Sequence, residues 1–153
     1  MKHALMLVLM AITAIASHAQ DAQVTYLEKV GTGGTRVFAV QTSIKDEEIE
    51  TVDGKAKLKP AENACYQVLN AILFDGVENY NDGNALVFDR NNAFAKSIVN
   101  PKKKAFMTYC KAVELENSIK NKQVYHYIIE VNHFNLLRLL EMRGSLGNGF
   151  TDN

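Results

Sequence analysis

The chain of 153 residues has no tryptophan, only two cysteines and no excess of either charge sign, with 17 basic and 17 acidic residues. Balanced charge removes the broad electrostatic attraction that nucleic acid or an anionic membrane surface would need. The cysteines, Cys65 and Cys110, are too far apart for a Cys-x-x-Cys redox motif. No Gly-x-Ser-x-Gly elbow for a serine nucleophile occurs. The acidic stretch over 45–57 lacks the alternating ligand spacing of a calcium loop. Internal repeats and low-complexity tracts are also missing, and no apolar run reaches the roughly 20 residues of a membrane span.

What is present begins with an address. Lys2 gives a positive start, 4–16 is apolar, and Ser17 and Ala19 place small residues before Gln20. That pattern predicts a secretory signal peptide over 1–19. Position 20 is Gln rather than Cys, so no lipid-anchor signal follows. The expected mature protein is exported to the periplasm or beyond, with one domain over 20–146 and a flexible tail over 147–153. Losing Lys2 with the signal leaves it slightly negative.

The densest apolar stretch of that domain is 123–144. QVYHYIIEV is β-branched and aromatic, as a packed strand requires. Its odd positions, Tyr125, Tyr127, Ile129 and Val131, share one face, which is expected to be the core face. Asn132 is placed to cap a helix that carries Leu136, Leu137, Leu139, Leu140 and Met142, with Gly144 as its stop. Because the link is so short, this helix is expected to fold back across the sheet.

The remaining elements follow in order. A polar lead-in or edge strand ends at Val30, the Gly31–Gly34 stretch turns, and 35–44 is a strand with Phe38, Val40, Thr42 and Ile44 on one face. Residues 45–57 read as a charged connection, or as a small hairpin turning at Asp53-Gly54. Residues 60–74 form a helix, since Ala61, Ala64, Cys65, Val68, Leu69 and Ile72 recur at helical spacing and Pro60 suits its first turn. A loop spans 77–84, and 85–88 reads as a short strand. A short helix over 92–99 is capped by Asp89 or Asn91. Lys102, Lys103 and Lys104 form a solvated turn. Strands over 105–115 and 122–131 pair as an antiparallel hairpin through a reversal at 117–121.

The search for chemistry eliminates more than it finds. Past the signal only His126 and His133 remain, on opposite faces by strand parity, which does not make a metal pair. A Cys110–His126 nucleophile pair requires neighbouring strands, and no oxyanion loop supports it. An exported compartment permits a Cys65–Cys110 disulfide, whereas the apolar setting of each suits a buried free thiol, and both readings stand. Tyr125 and Tyr127 could line a pocket, but a core aromatic stripe explains them more simply.

Two stretches carry a resemblance. NACYQVLNAILFDGV over 63–77 and EVNHFNLLRLLEMRG over 130–144 resemble uncharacterised secreted proteins of Bacteroides-like bacteria. More distantly, the layout is similar to N-terminal domains of flagellar-assembly proteins and to small surface lipoproteins. The acidic insertion over 45–57 departs from that pattern. The resemblance brings no catalytic residues and implies an envelope module that contacts another macromolecule.

The expectation is therefore an α+β fold, an antiparallel sheet of three or four strands with two or three helices mainly on one face. The expected role is a non-catalytic envelope-assembly or protein-interaction module whose partner is another envelope protein. It is expected to use no cofactor or metal, to bind no nucleic acid and to have no membrane span. A small-ligand binder and a cysteine-dependent enzyme are the alternatives.

Overall fold

A computed structural model describes residues 24–114 and 124–147. Residues 1–19, expected to be a signal peptide, residues 117–121, expected to form a reversal, and residues 148–153 fall outside the described residues. The fold is mixed α+β. Its strands are β1 (Thr25–Val30), β2 (Arg36–Ser43), β3 (Glu47–Thr51), β4 (Gly54–Leu58), β5 (Cys110–Glu114) and β6 (Val124–Val131). Its helices are α1 (Pro60–Asn70), α2 (Ala93–Ile98) and α3 (His133–Met142). Four strands form an antiparallel sheet in the order β1-β2-β6-β5, while β3 and β4 form a separate hairpin.

The two central strands are the longest, and they pair over their whole length from Arg36↔Val131 to Ser43↔Val124. That register puts Phe38, Val40 and Thr42 on the same face as Tyr125, Tyr127, Ile129 and Val131, as the period of two requires. Phe38, Ile129 and Val131 are fully buried there. Ile44, assigned to this face, lies beyond the end of β2 and is exposed. Val37 departs from the alternation in the other direction. It is buried on the opposite face, where Gly31 lies against it.

The helix lying across the sheet is α1. It packs on β2, β6 and β5 through Ala64, Cys65, Val68 and Leu69, all fully buried. The side chain of Glu62 fixes its start in two ways: one oxygen accepts from the Lys59 amide at 2.9 Å, and both accept from Lys104 Nζ at 2.9 Å. Burial pushes the Glu62 carboxyl up, but these bonds outweigh it and hold the group below the usual carboxylate range. Lys104 is thus a tether between α1 and the turn before β5 rather than a solvated charge. Lys102 is tied too, through Nζ to the Asp53 carbonyl in the β3–β4 turn.

Past Asn70 the helix widens into a π turn over Ala71–Asp75, closed by Gly76 N–H donating to Ala71 O at 2.8 Å. The carbonyls of Ile72 and Leu73 are left without helical donors, and the amides of Leu86 and Val87 supply them at 3.0 Å each. This is why 85–88 is not a strand: its hydrogen bonds go to a helix end. Gly76 sits at φ +85 and so close to the following loop that a Cβ would meet the Gly83 carbonyl oxygen.

Three further boundaries differ from the sequence reading. The cap of α2 is Asn92, whose side chain accepts from Ala95 N at 3.0 Å, while Asp89 instead accepts from Asn91 N. Residues 105–108 form a 3-10 turn that buries Phe106, and β5 begins only at Cys110. The charged connection after β2 is a regular hairpin turning at Val52-Asp53, the hairpin alternative, with Ala56 and Leu58 buried beneath it.

The closing helix corrects a larger expectation. Asn132 caps α3 as foreseen, accepting from Asn135 N, and Leu136, Leu137 and Leu140 enter the core. Gly144 at φ +62 lets its own amide reach Glu141 O and the Ser145 amide reach Leu140 O. The helix is not the layer across the sheet, however. It is anchored beyond the end of β6, through Asn132 N to Tyr109 O, Tyr80 to His133, and Arg143 over the Phe94 ring of α2. Met142, read as core, is 70% exposed.

Leu140→Asp places an unpaired charge in the core, so we expect it to abolish cooperative thermal unfolding, whereas Met142→Asp shifts stability by no more than about 0.5 kcal/mol. Circular-dichroism melts of the two variants separate buried from exposed apolar positions on this helix.

Candidate functional site

A concavity among the described residues follows from an unequal strand length. β1 pairs with β2 only from Ala39 to Arg36, so Val40–Ser43 of β2 have β6 on one side and no described strand on the other. β1 itself slips register between Tyr26 and Val30, with Glu28 in the left-handed region at φ 50. Such an irregular edge pairs poorly with further strands. The β3–β4 hairpin then rises opposite the uncovered flank, and α1 closes the third side. The result is a groove of about 1410 Å³ bounded by β2, β3, α1 and the π turn.

Polar groups line it in a particular way. Asn63, Gln67 and Asn70 project from α1 at i, i+4 and i+7, beside its apolar stripe. Asn63 is buried, and its Nδ2 donates to Thr42 Oγ1 of β2 at 3.0 Å, which pins the helix to the strand that frames the groove. Gln67 Oε1 is also buried yet has no hydrogen-bond partner among the described residues. Burying an acceptor unpaired costs about 1–3 kcal/mol. Tyr66, half-buried in the same wall, keeps its proton more firmly than usual, because burial and then the Asp75 carboxylate push its pKa up. It therefore stands as a hydroxyl donor.

The charge in the groove has one sign. Glu47, Glu48, Glu50 and Asp75 line it, and no Lys or Arg does among the described residues. Glu48 is bridged to Lys55 at 2.6 Å and Asp75 to Arg90 at 2.7 Å. Glu47 and Glu50 form no ion pair among the described residues. Glu47 shares the inner face of the hairpin with Ile49, since their cross-strand partners are the buried Leu58 and Ala56.

The residues singled out from the sequence are distributed differently. Tyr125 and Tyr127 stack edge to face at 5.8 Å on the core side of β6, and neither is among the residues lining this groove. Their even-numbered neighbours Val124 and His126 are. Cys65 and Cys110 are both buried free thiols, away from the groove. Cys110 pairs with Val131, five residues along β6 from His126, or about 17 Å. Burial also drives the Cys110 thiol well above its ordinary pKa, with the neighbouring Cys65 adding to the effect. Cys110 and His126 therefore do not constitute a nucleophile pair. His133 lies elsewhere again, its Nδ1 sharing a 2.7 Å hydrogen bond with the Tyr80 hydroxyl. No cluster of three metal-ligating side chains exists among the described residues.

Sequence reasoning missed two things here. Tyr80 sits in an Asn/Gly-rich stretch read only as a loop, yet it is 3% exposed and packs edge to face on Tyr26, Phe38 and His133. The amide stripe Asn63–Gln67–Asn70 was readable as helical spacing without charge, but attention to the adjoining apolar stripe hid it.

The molecule is thus an α+β domain with a polar, acid-rimmed groove beside an uncovered strand flank. No protein family, curated protein or solved structure matches the chain. Among the described residues no helix is long and apolar enough to cross a membrane.

Thr42→Val removes the acceptor and leaves the Asn63 amide buried without a partner, which should cost about 1–3 kcal/mol. Combining it with Asn63→Leu should recover part of that loss. Urea unfolding of the single and double variants checks this, and strict additivity would mean that the two side chains do not interact.

Proposed function

We propose that this chain is a non-catalytic, exported binding module that takes an extended segment of a partner protein of the cell envelope into the groove beside β2. The observation that carries the reading is the flank of Val40–Ser43, paired on one side only and facing a second hairpin. An extended peptide entering there gains main-chain hydrogen bonds from the uncovered flank, and side-chain pockets then supply selectivity. The amides of Asn63, Gln67 and Asn70 and the hydroxyl of Tyr66 suit the alternating side chains of such a segment. Glu47 and Glu50 favour one that carries Lys or Arg, because complementary charge steers association.

The volume argues against a small molecule as the main occupant. At about 1410 Å³ and open to solvent, the groove exceeds the roughly 300–1,000 Å³ of pockets that enclose drug-sized ligands. The cysteine-enzyme alternative loses its support from the burial of both thiols and from the distance between Cys110 and His126.

Selection of linear peptides against the purified protein tests this reading. Selected peptides should be enriched in basic residues, and Glu47→Lys together with Glu50→Lys should weaken their binding at least about tenfold in fluorescence anisotropy. Phe134→Ala, on the exposed side of α3, should leave the Kd unchanged. Peptides that ignore the groove changes, or failure to select any linear peptide, would refute the proposal.

A further inference from the structure

Cys65 lies on the inner face of α1, and Cys110 is the first residue of β5, the strand against which that helix packs. Both side chains are buried, at 0% and 8% exposure, and both are free. Both belong to the one buried cluster that fills the contact between α1 and β5, and Cys65 is the neighbour that adds to the effect of burial on the Cys110 thiol. Each position taken alone is explained by packing, since a thiol serves as a small hydrophobe and alanine would serve nearly as well. Packing does not require that the chain's two cysteines, 45 positions apart, should meet each other. Two neighbouring cysteines buried on one helix–strand interface are the arrangement that a disulfide can bridge, since bonded pairs hold their Cβ atoms about 3.5–4.5 Å apart.

The surroundings limit when that reaction can take place. Among the described residues no cation acts to favour a Cys110 thiolate, and burial holds that thiol protonated. In the folded protein neither sulfur is reactive toward reagents in solvent. Oxidation therefore belongs to folding, before α1 seats on β5.

We propose that Cys65 and Cys110 form an oxidation site, joined during folding by exchange with a dithiol–disulfide carrier into a bond that staples α1 to β5. One cysteine loses its proton and attacks a sulfur of the carrier disulfide, releasing the carrier's other sulfur as a thiolate. The second cysteine, also deprotonated, attacks the mixed disulfide at the protein's sulfur and expels the carrier. Two electrons and two protons pass from the protein to the carrier, which leaves as a dithiol. The bond closes the loop that contains the whole region from the end of α1 to β5, which constrains the unfolded chain. This inference is independent of the groove, since neither cysteine lines it.

The test refolds reduced, denatured full-length chain with oxidised and reduced glutathione as the probe couple, then maps unreduced peptides by mass spectrometry. The expected product is a Cys65–Cys110 linked peptide pair, two hydrogens lighter than the free peptides and without glutathione. Its melting temperature should exceed that of the reduced protein by on the order of 10 °C. A Cys65→Ala/Cys110→Ala variant should melt near the reduced protein and show no dependence on the couple. Three results would overturn the proposal: both thiols alkylated in full after refolding, separate glutathione adducts on each cysteine, or an oxidised form that melts no higher than the reduced one.

Discussion

The seam between the inner face of α1 and strands β2, β6 and β5 is the constraint on which the other features depend. Val68 and Leu69 are fully buried in it, and full burial of one such side chain contributes about 1.5–3 kcal/mol. Because α1 is seated there, its polar stripe is turned toward the flank of β2, and its π-turn end is delivered to Leu86 and Val87. Asn63 and Thr42 add direction to that apolar contact, since their hydrogen bond is satisfied in one helix position only. Glu62 and Lys104 hold the other end of the helix to the turn that precedes β5. The groove is thus a consequence of how one helix crosses one sheet.

A second joint ties the loops to that frame. Tyr80 inserts its ring among Tyr26, Phe38 and His133 and shares a 2.7 Å hydrogen bond between its hydroxyl and the His133 ring. Burial raises the Tyr80 pKa far beyond the physiological range, so the hydroxyl keeps its proton there. Through this contact the first residue of α3 is fixed to a loop that holds only a Val77–Tyr80 bridge and a short 3-10 turn over Asn81–Gly83. The leucines of α3 then complete the core from the end of β6 rather than from above the sheet.

Much of the frame was legible in the sequence. The odd-numbered face of 125–131, the helix over 60–74, the caps at Asn132 and Gly144 and the β5–β6 pairing all follow from periodicity and capping chemistry, which act locally. What escaped depends on contacts between distant residues. The extended 85–88 segment was read as a strand because its composition suits one, whereas its hydrogen-bond partners are carbonyls freed by a π turn that no local pattern announces. Tyr80 was passed over within a loop assigned from its polar neighbours, and its burial depends on Phe38 and His133. The placement of α3 was inferred from a short link, but the link fixes proximity to the end of β6 and not direction. For the candidate site, the individual residues were visible and their convergence was not. The groove exists because β1 stops pairing before β2 ends, and a difference in strand register has no signature in composition.

An uncovered strand flank opposite an acidic hairpin is the physical basis for reading this domain as a binder of extended polypeptide. The flank makes a demand that the free protein alone can meet or fail. In an antiparallel strand successive amides point alternately to the two neighbours. Hydrogen–deuterium exchange resolved to single residues over Val40–Ser43 should therefore alternate, with the amides directed at β6 protected and the others exchanging as fast as those of exposed loops. Uniform protection of all four amides in the free protein would mean that the flank is already covered, and would contradict the account.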